Sequence, residues 1–102
     1  MMNTQAKYTI SVVAQIVGLH EQSLRMYERR GLIQPQRTGG NMRLFSDADV
    51  ERVRAIQRLV NDLGVNLAGA EVILHMRDQM ERMQQHVETL QRRLDEMTQP
   101  SA

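Results

Sequence analysis

The stretch "HEQSLRMYERRG" (residues 20–31) holds three side chains with the chemistry to read nucleic-acid bases. Gln22, Arg25 and Arg29 recur at i, i+3 and i+7, so on a helix they share one face. Gln and Arg make paired hydrogen bonds to adenine and guanine edges in the major groove. In isolation the same three would pass for an ordinary charged surface, so their meaning rests on context. Arg30 would lie at the helix end, within reach of a phosphate. Further on, "RTGGNMRLFS" (37–46) sets Arg37, Thr38, Asn41 and Arg43 around two glycines. Glycines at such a tip allow a backbone to approach a phosphate chain closely.

Other chemistries find little support. There is no cysteine, which removes disulfides, thiolate metal sites and thiol redox sensing. The histidines are His20, His75 and His86, with no H-x-x-x-H spacing, and neither a phosphate loop nor G-x-S-x-G occurs. Three aromatic residues can line little of a substrate pocket. The carboxylates interleave with arginine on helices, as on a solvated face. No enzyme, metal or cofactor is expected.

The elements that position the candidate residues follow from punctuation and periodicity. "YTIS" reads as a short strand ending at Ser11, the N-cap of a helix whose Val13, Ile16 and Val17 face one way and which Gly18 ends. A second short helix points Leu24 and Tyr27 inward and stops at Gly31. Two short helices about a tight turn make a helix-turn-helix. Pro35 and Gly39–Gly40 then break any helix, and Leu32, Ile33, Leu44 and Phe45 flank them, which predicts a β-hairpin or wing. Ser46 and Asp49 match a capping box ahead of a helix that buries Val50, Val53, Ile56, Leu59, Val60 and Leu63 and ends at Gly64. Asn66 is the expected N-cap of the last helix, which has no proline and reads as continuous or gently bent from Leu67 to Met97.

That helix has its own character. Ile73, Met76, Met80, Met83, Val87, Leu90, Leu94 and Met97 follow a 3-4-3-4-3-4-3 spacing, a heptad seam with a and d apolar. The positions between are mostly Gln, Arg and Glu. The seam runs about 25 residues, roughly 37 Å, long for so small a domain to cover, so dimerisation is expected. Its four methionines make it soft and weakly specifying, and strand orientation cannot be read from it.

Composition sets the frame. The 102 residues suit one small domain with a projecting helix, and the net charge is +1. Residues 1–65 carry nine Lys/Arg and six Asp/Glu (9 − 6 = +3), and residues 66–102 carry four and six (4 − 6 = −2). No run approaches a membrane span and residues 1–10 lack a signal-peptide core, so a cytoplasmic, nucleoid-associated location is expected.

At "LRMYERRGLIQPQRTGGNMRLFSDADVERV" (24–53), within a pattern that begins at "YTIS" (8–11), the chain resembles the DNA-binding domain of MerR-family transcription regulators. The resemblance spans about residues 8–74 and implies a mainly α fold, a winged helix-turn-helix. It also implies a second helical pair (46–74) acting as another wing, and a C-terminal coiled-coil helix pairing antiparallel in a homodimer. On this reading residues 1–7 are a disordered lead-in, 8–74 the DNA-binding domain, 75–97 the dimerisation helix and 98–102 a disordered tail. The family's tyrosine at Tyr27 implies a phosphate contact through its hydroxyl, and the second wing would offer Arg54 and Arg58 to phosphates. MerR-type dimers grip inverted repeats in double-stranded DNA.

Within the family, "ISVVAQIVGLHEQSLRMYERRGLI" (10–33) and "DLGVNLAGAEVIL" (62–74) look most like HspR-type heat-shock repressors, which use the DnaK chaperone as corepressor. The GlnR/TnrA-type nitrogen regulators share the wing and a "GVN-AG" stretch. The expectation is therefore a dimeric repressor of heat-shock genes. A nitrogen regulator is one alternative, and a protein-interaction module built on the coiled coil is the other. With no cysteine for metal or redox sensing and no ligand domain after the helix, the signal is expected to arrive through a partner protein or temperature.

Overall fold

A computed structural model describes residues 5–99, in the order α1 (Ile10–Val17), α2 (Glu21–Arg29), β1 (Gln36–Arg37), β2 (Arg43–Leu44), α3 (Asp47–Gln57), a π turn (Arg58–Asp62) and α4 (Leu67–Thr98). Of the lead-in expected at 1–7 and the tail expected at 98–102, residues 1–4 and 100–102 lie outside the described residues, whereas Lys7 is bonded to Phe45 and Thr98 closes α4. The chain divides into two compact units between Ala70 and Glu71.

In the first unit, α1 ends as its sequence dictates. Gly18 takes a left-handed conformation (φ 71°) and returns its N–H to the Ala14 carbonyl, a C-cap that costs a residue without Cβ little. The start of α1 differs from the expectation. Its N-cap is Thr9, and Ser11 lies inside the first turn. "YTIS" is not a strand either. Tyr8 alone bridges to Phe45, exchanging backbone hydrogen bonds of 2.9 and 2.7 Å. Lys7 joins this anchor, its N–H donating to the Phe45 carbonyl at 2.9 Å and its ammonium lying 3.4 Å from Asp47.

The core of this unit is Val13, Leu24, Tyr27, Leu32, Ile33, Phe45, Val50, Val53, Ile56 and Ala70. Helix α1 packs on both α2 and α3, and Ile16 turns to solvent while Ala14 is buried in its place. Four polar bonds hold α3 in place. Gln57 Nε2 donates to the Val17 carbonyl at 2.7 Å, Arg52 Nε donates to the Leu32 carbonyl, and the capping box closes at both ends. In that box Asp49 N–H donates to Ser46 Oγ at 3.1 Å and Ser46 N–H to Asp49 Oδ2 at 2.8 Å.

The helix expected to run to Gly64 is α-helical only to Gln57. Beyond it Leu63 N–H reaches back five residues to Arg58. The wider turn breaks the 3-4 phase on which a buried Leu63 depended, and Leu63 is exposed.

Asn66 caps α4 as expected, its Oδ1 accepting from Gly69 N–H at 2.7 Å. Glycine is needed there because a Cβ would meet Val65 Cγ1 at 2.9 Å and the capping oxygen at 3.1 Å. Helix α4 is continuous over 32 residues, about 48 Å long. In the second unit Leu74 is buried, whereas all eight seam residues are exposed, from Ile73 at 39% to Met97 at 82%.

Candidate nucleic-acid interface

Helix α2 exists because it is amphipathic over nine residues, with Leu24 and Tyr27 buried and the remaining faces polar. Gln22 and Arg29 stand exposed on it, and Arg25 is half-buried with its guanidinium 3.5 Å from Glu21. An exposed i,i+4 contact of that length is weak and leaves Arg25 able to exchange Glu21 for another acceptor. Arg30 is the C-cap, exposed beside Gly31 (φ 76°). Burial raises the pKa of Tyr27 above its ordinary value of 10.0, and its protonated hydroxyl is a hydrogen-bond donor.

The wing is a hairpin of two-residue strands. Gln36 pairs with Leu44 and Arg37 with Arg43 in antiparallel register. Asn41 N–H donates to the Thr38 carbonyl at 2.8 Å across Gly39–Gly40, and Thr38 Oγ1 accepts from Met42 N–H at 3.1 Å. Asn41 takes a left-handed conformation (φ 65°), which Asn tolerates better than most residues. Its carbonyl accepts from Arg37 at 3.1 Å. Thr38 and Asn41 thus first build the tip, and the Thr38 hydroxyl keeps its own proton to donate.

Register puts Arg37 directly opposite Arg43 on one face of the ribbon, a like-charge pair that would repel. The counter-charge is Glu28, projecting from α2. Arg43 Nε donates to Glu28 Oε1 at 2.7 Å, and one Arg37 amino group donates to the two carboxylate oxygens at 3.3 and 3.4 Å. The side chains of Glu28, Arg43 and Arg37 are 20%, 23% and 38% exposed. Glu28 was not foreseen from the sequence, where it reads as one more charge in "YERR". The signal lay in the turn, because a hairpin closing on Gly39–Gly40 places residues 37 and 43 in register, and two facing arginines need an anion.

Arg54 and Arg58 are exposed one turn apart, at the end of α3 and in the π turn, with Arg54 3.9 Å from Glu51. The fold brings Arg37, Thr38, Asn41 and Arg43 together on the wing, and Gln22, Arg25 and Arg29 on α2, with Glu28 tying the two groups. Among the described residues no three His, Asp or Glu side chains converge as metal ligands. No helix among them is long and apolar enough to cross a membrane.

Comparison with known proteins gives a consistent pattern. The family model of the MerR HTH family regulatory proteins matches residues 8–77. A Streptomyces coelicolor protein assigned the name heat shock protein HspR is 44% identical over 88 residues, 86% of this chain and 58% of the relative. MlrA, an HTH-type transcriptional regulator of Escherichia coli, is 44% identical over 70 residues (68% of this chain, 28% of the relative). GlnR of Bacillus cereus, another, is 38% identical over 71 residues (70% and 54%). The chain therefore spans between about a quarter and three-fifths of these relatives' lengths. Among solved structures, a MerR-family transcriptional regulator from Bacillus cereus superposes with a TM-score of 0.58 at 25% identity, over 89% of this chain and 79% of that one. The fold also matches HiNmlR, a MerR-family regulator lacking the sensor domain and bound to promoter DNA (TM-score 0.57, 21% identity, 86% and 78% covered).

Proposed function

This chain belongs to the MerR family of helix-turn-helix regulatory proteins, and from that premise we propose that it is a transcriptional repressor of heat-shock and chaperone genes, binding an inverted repeat as a homodimer. Gln22, Arg25 and Arg29 face base edges. Tyr27, Arg30, Arg37, Thr38, Asn41 and Arg43 position the phosphate backbone, with Arg54 and Arg58 as flanking phosphate contacts. The α4 seam from Ile73 to Met97 pairs two copies, residues 8–74 forming the DNA-binding part and 75–97 the pairing helix. In keeping with the HspR likeness, the DnaK chaperone is the corepressor.

The observation that carries the heat-shock reading is the extent of the HspR match. Any 88-residue span of a 102-residue chain includes residues 15–88, so the likeness runs from the helix-turn-helix into the seam. The matches to MlrA and GlnR cover 70 and 71 residues. For dimerisation the support is physical. Eight apolar side chains in unbroken heptad register stand exposed, and such a stripe is stable in water only against a partner.

A second reading, a nitrogen-type regulator, draws on the GlnR likeness over 71 residues. A third, an interaction module using only α4, draws on the exposed seam. Genome-wide footprinting in the native cells before and after a heat pulse separates them. Occupancy of an inverted repeat beside chaperone genes, lost on heating, is the expected result. Occupancy beside nitrogen genes that ignores heat favours the second reading, and no specific occupancy favours the third.

A further inference from the structure

We propose that Glu28 is a specificity-determining latch, a carboxylate on the recognition helix that occupies the wing arginines and ties their reach toward phosphate to the position of α2. The inference rests on the DNA-binding reading and extends it to a residue that faces no base. Its basis is the cluster itself. One anion on α2 is shared by two cations, one from each wing strand, with Arg43 Nε at 2.7 Å and Arg37 at 3.3 Å.

Two consequences follow from the charges. The triad of Arg37, Arg43 and Glu28 carries a net +1 (2 − 1), so the wing presents one effective cation to DNA where the sequence suggests two. The second consequence is geometric. Arg43 spends Nε on Glu28, and Arg37 spends its two amino groups on Glu28 and the Asn41 carbonyl. Their remaining N–H donors are aimed by the latch, at positions fixed relative to Gln22, Arg25 and Arg29. On a matching site, phosphate and base contacts then form together. On random DNA the wing grips phosphate with the one net cation the latch leaves and cannot recruit the second without giving up Glu28. Without the carboxylate the arginines swing free and bind phosphate whatever α2 faces.

The sign of the effect is unlike that of a structural role. Loss of a merely structural contact lowers affinity for every duplex. Loss of the latch raises affinity for random DNA. One additional phosphate contact steepens the log–log salt slope by about 0.9 and, at 50 mM salt, strengthens binding on the order of tenfold.

The test uses the full chain, a random-sequence duplex and a duplex recovered by binding selection with the wild-type protein, each titrated from about 50 to 200 mM salt. Glu28→Gln, nearly isosteric and uncharged, is expected to bind the random duplex on the order of tenfold more tightly at low salt, with a slope steeper by about 0.9. The selected duplex gains less, so the specificity ratio falls. Glu28→Asp keeps the charge but draws back by one methylene, and is expected to lower the ratio while leaving the random-duplex slope near wild type. It keeps the test decisive should Glu28→Gln fold poorly. In the DNA-free protein, the Arg43 Nε–H signal in an NMR spectrum is expected to be protected from exchange in the wild type and to lose that protection in Glu28→Gln. Wild-type binding with unchanged slopes and ratios in both variants, or an equal loss on both duplexes, would overturn the latch alone. A wild type that binds neither duplex at 50 mM salt would overturn the DNA-binding reading and the latch with it.

Discussion

The wing with its recognition helix and the seam of α4 handle their side chains in opposite ways. At the wing, groups that could repel are satisfied within one chain, two facing arginines by one glutamate. Along α4, eight apolar residues in heptad register stand exposed among the described residues. The first is a finished object and the second is an open one. An element whose interactions close locally presents a fixed geometry to a ligand. An element that leaves a periodic apolar stripe in water defines its function by what it lacks.

The largest effect expected from breaking this contrast is in the seam. Val87→Glu places a carboxylate at a central a position, and two such charges in a paired helix cannot both be desolvated. The variant is expected to sediment as a monomer at micromolar concentration where the wild type is a dimer. Its affinity for an inverted repeat should fall by about 10²–10⁴-fold, because the two half-sites are no longer engaged together. Unchanged sedimentation would mean that the seam is covered in some other way, and the contrast between the regions would dissolve.

Arg25→Ala and Arg43→Ala test the division of labour inside the finished half. Half-buried Arg25 lies on the same polar face of α2 as exposed Gln22 and Arg29, so its loss should cost about 1–3 kcal/mol on the matched site and relax sequence preference there. Arg43→Ala takes the wing triad from +1 to 0, weakening matched and random DNA alike and reducing the salt slope by about 1. Equal losses on both duplexes for both variants would erase the distinction between base-reading helix and phosphate-gripping wing.

What could be read from the sequence, and what could not, follows the same boundary between local and distant. The inward turn of Leu24 and Tyr27 on α2, the Ser46–Asp49 box and the Gly18 and Asn66 caps are encoded within a few residues of themselves, and each stands in the structure as its spacing implies. The misreadings at Tyr8 and Ser11 came from a tertiary partner, and the one at Leu63 from a local change of helix type. Tyr8 does not extend a strand because Phe45 bridges it alone, and Ser11 lost the N-cap to Thr9 at the end of that bridge. Leu63 left the core when the π turn changed the phase of its helix. At the interface the same rule hid Glu28. Its neighbours in sequence are arginines, but its partners are 9 and 15 residues away across the hairpin.

A smaller effect is expected at the entry to α3. Ser46 is buried and takes part in both arms of the capping box, as acceptor for Asp49 N–H through its side chain and as donor to Asp49 Oδ2 through its backbone. Ser46→Ala should destabilise the protein by about 0.5–2 kcal/mol in denaturant melts, without altering sedimentation. A shift in oligomeric state would show that the two regions are coupled more closely than their separate chemistries imply.

The smallest effect lies at the N-terminal anchor and is visible only as a pH dependence. The Tyr8 hydroxyl donates to Asp47 Oδ1 at 2.7 Å and, with the Lys7 ammonium, holds the Asp47 carboxyl below its ordinary value of 3.8. A carboxyl with a folded pKa below its unfolded one stabilises the fold fully above the unfolded value. That stability is lost as pH falls through the folded pKa, because the unfolded chain takes up the proton first. Tyr8→Phe removes the largest cause of the shift and leaves Lys7. Denaturant melts between about pH 5 and pH 2 should therefore show stability falling less steeply with acid in the variant than in the wild type, with the two curves converging at the acid end. Parallel curves would mean that the hydroxyl contributes nothing specific to the ionised carboxyl, and that the anchor is held by the backbone bridge between Tyr8 and Phe45 alone.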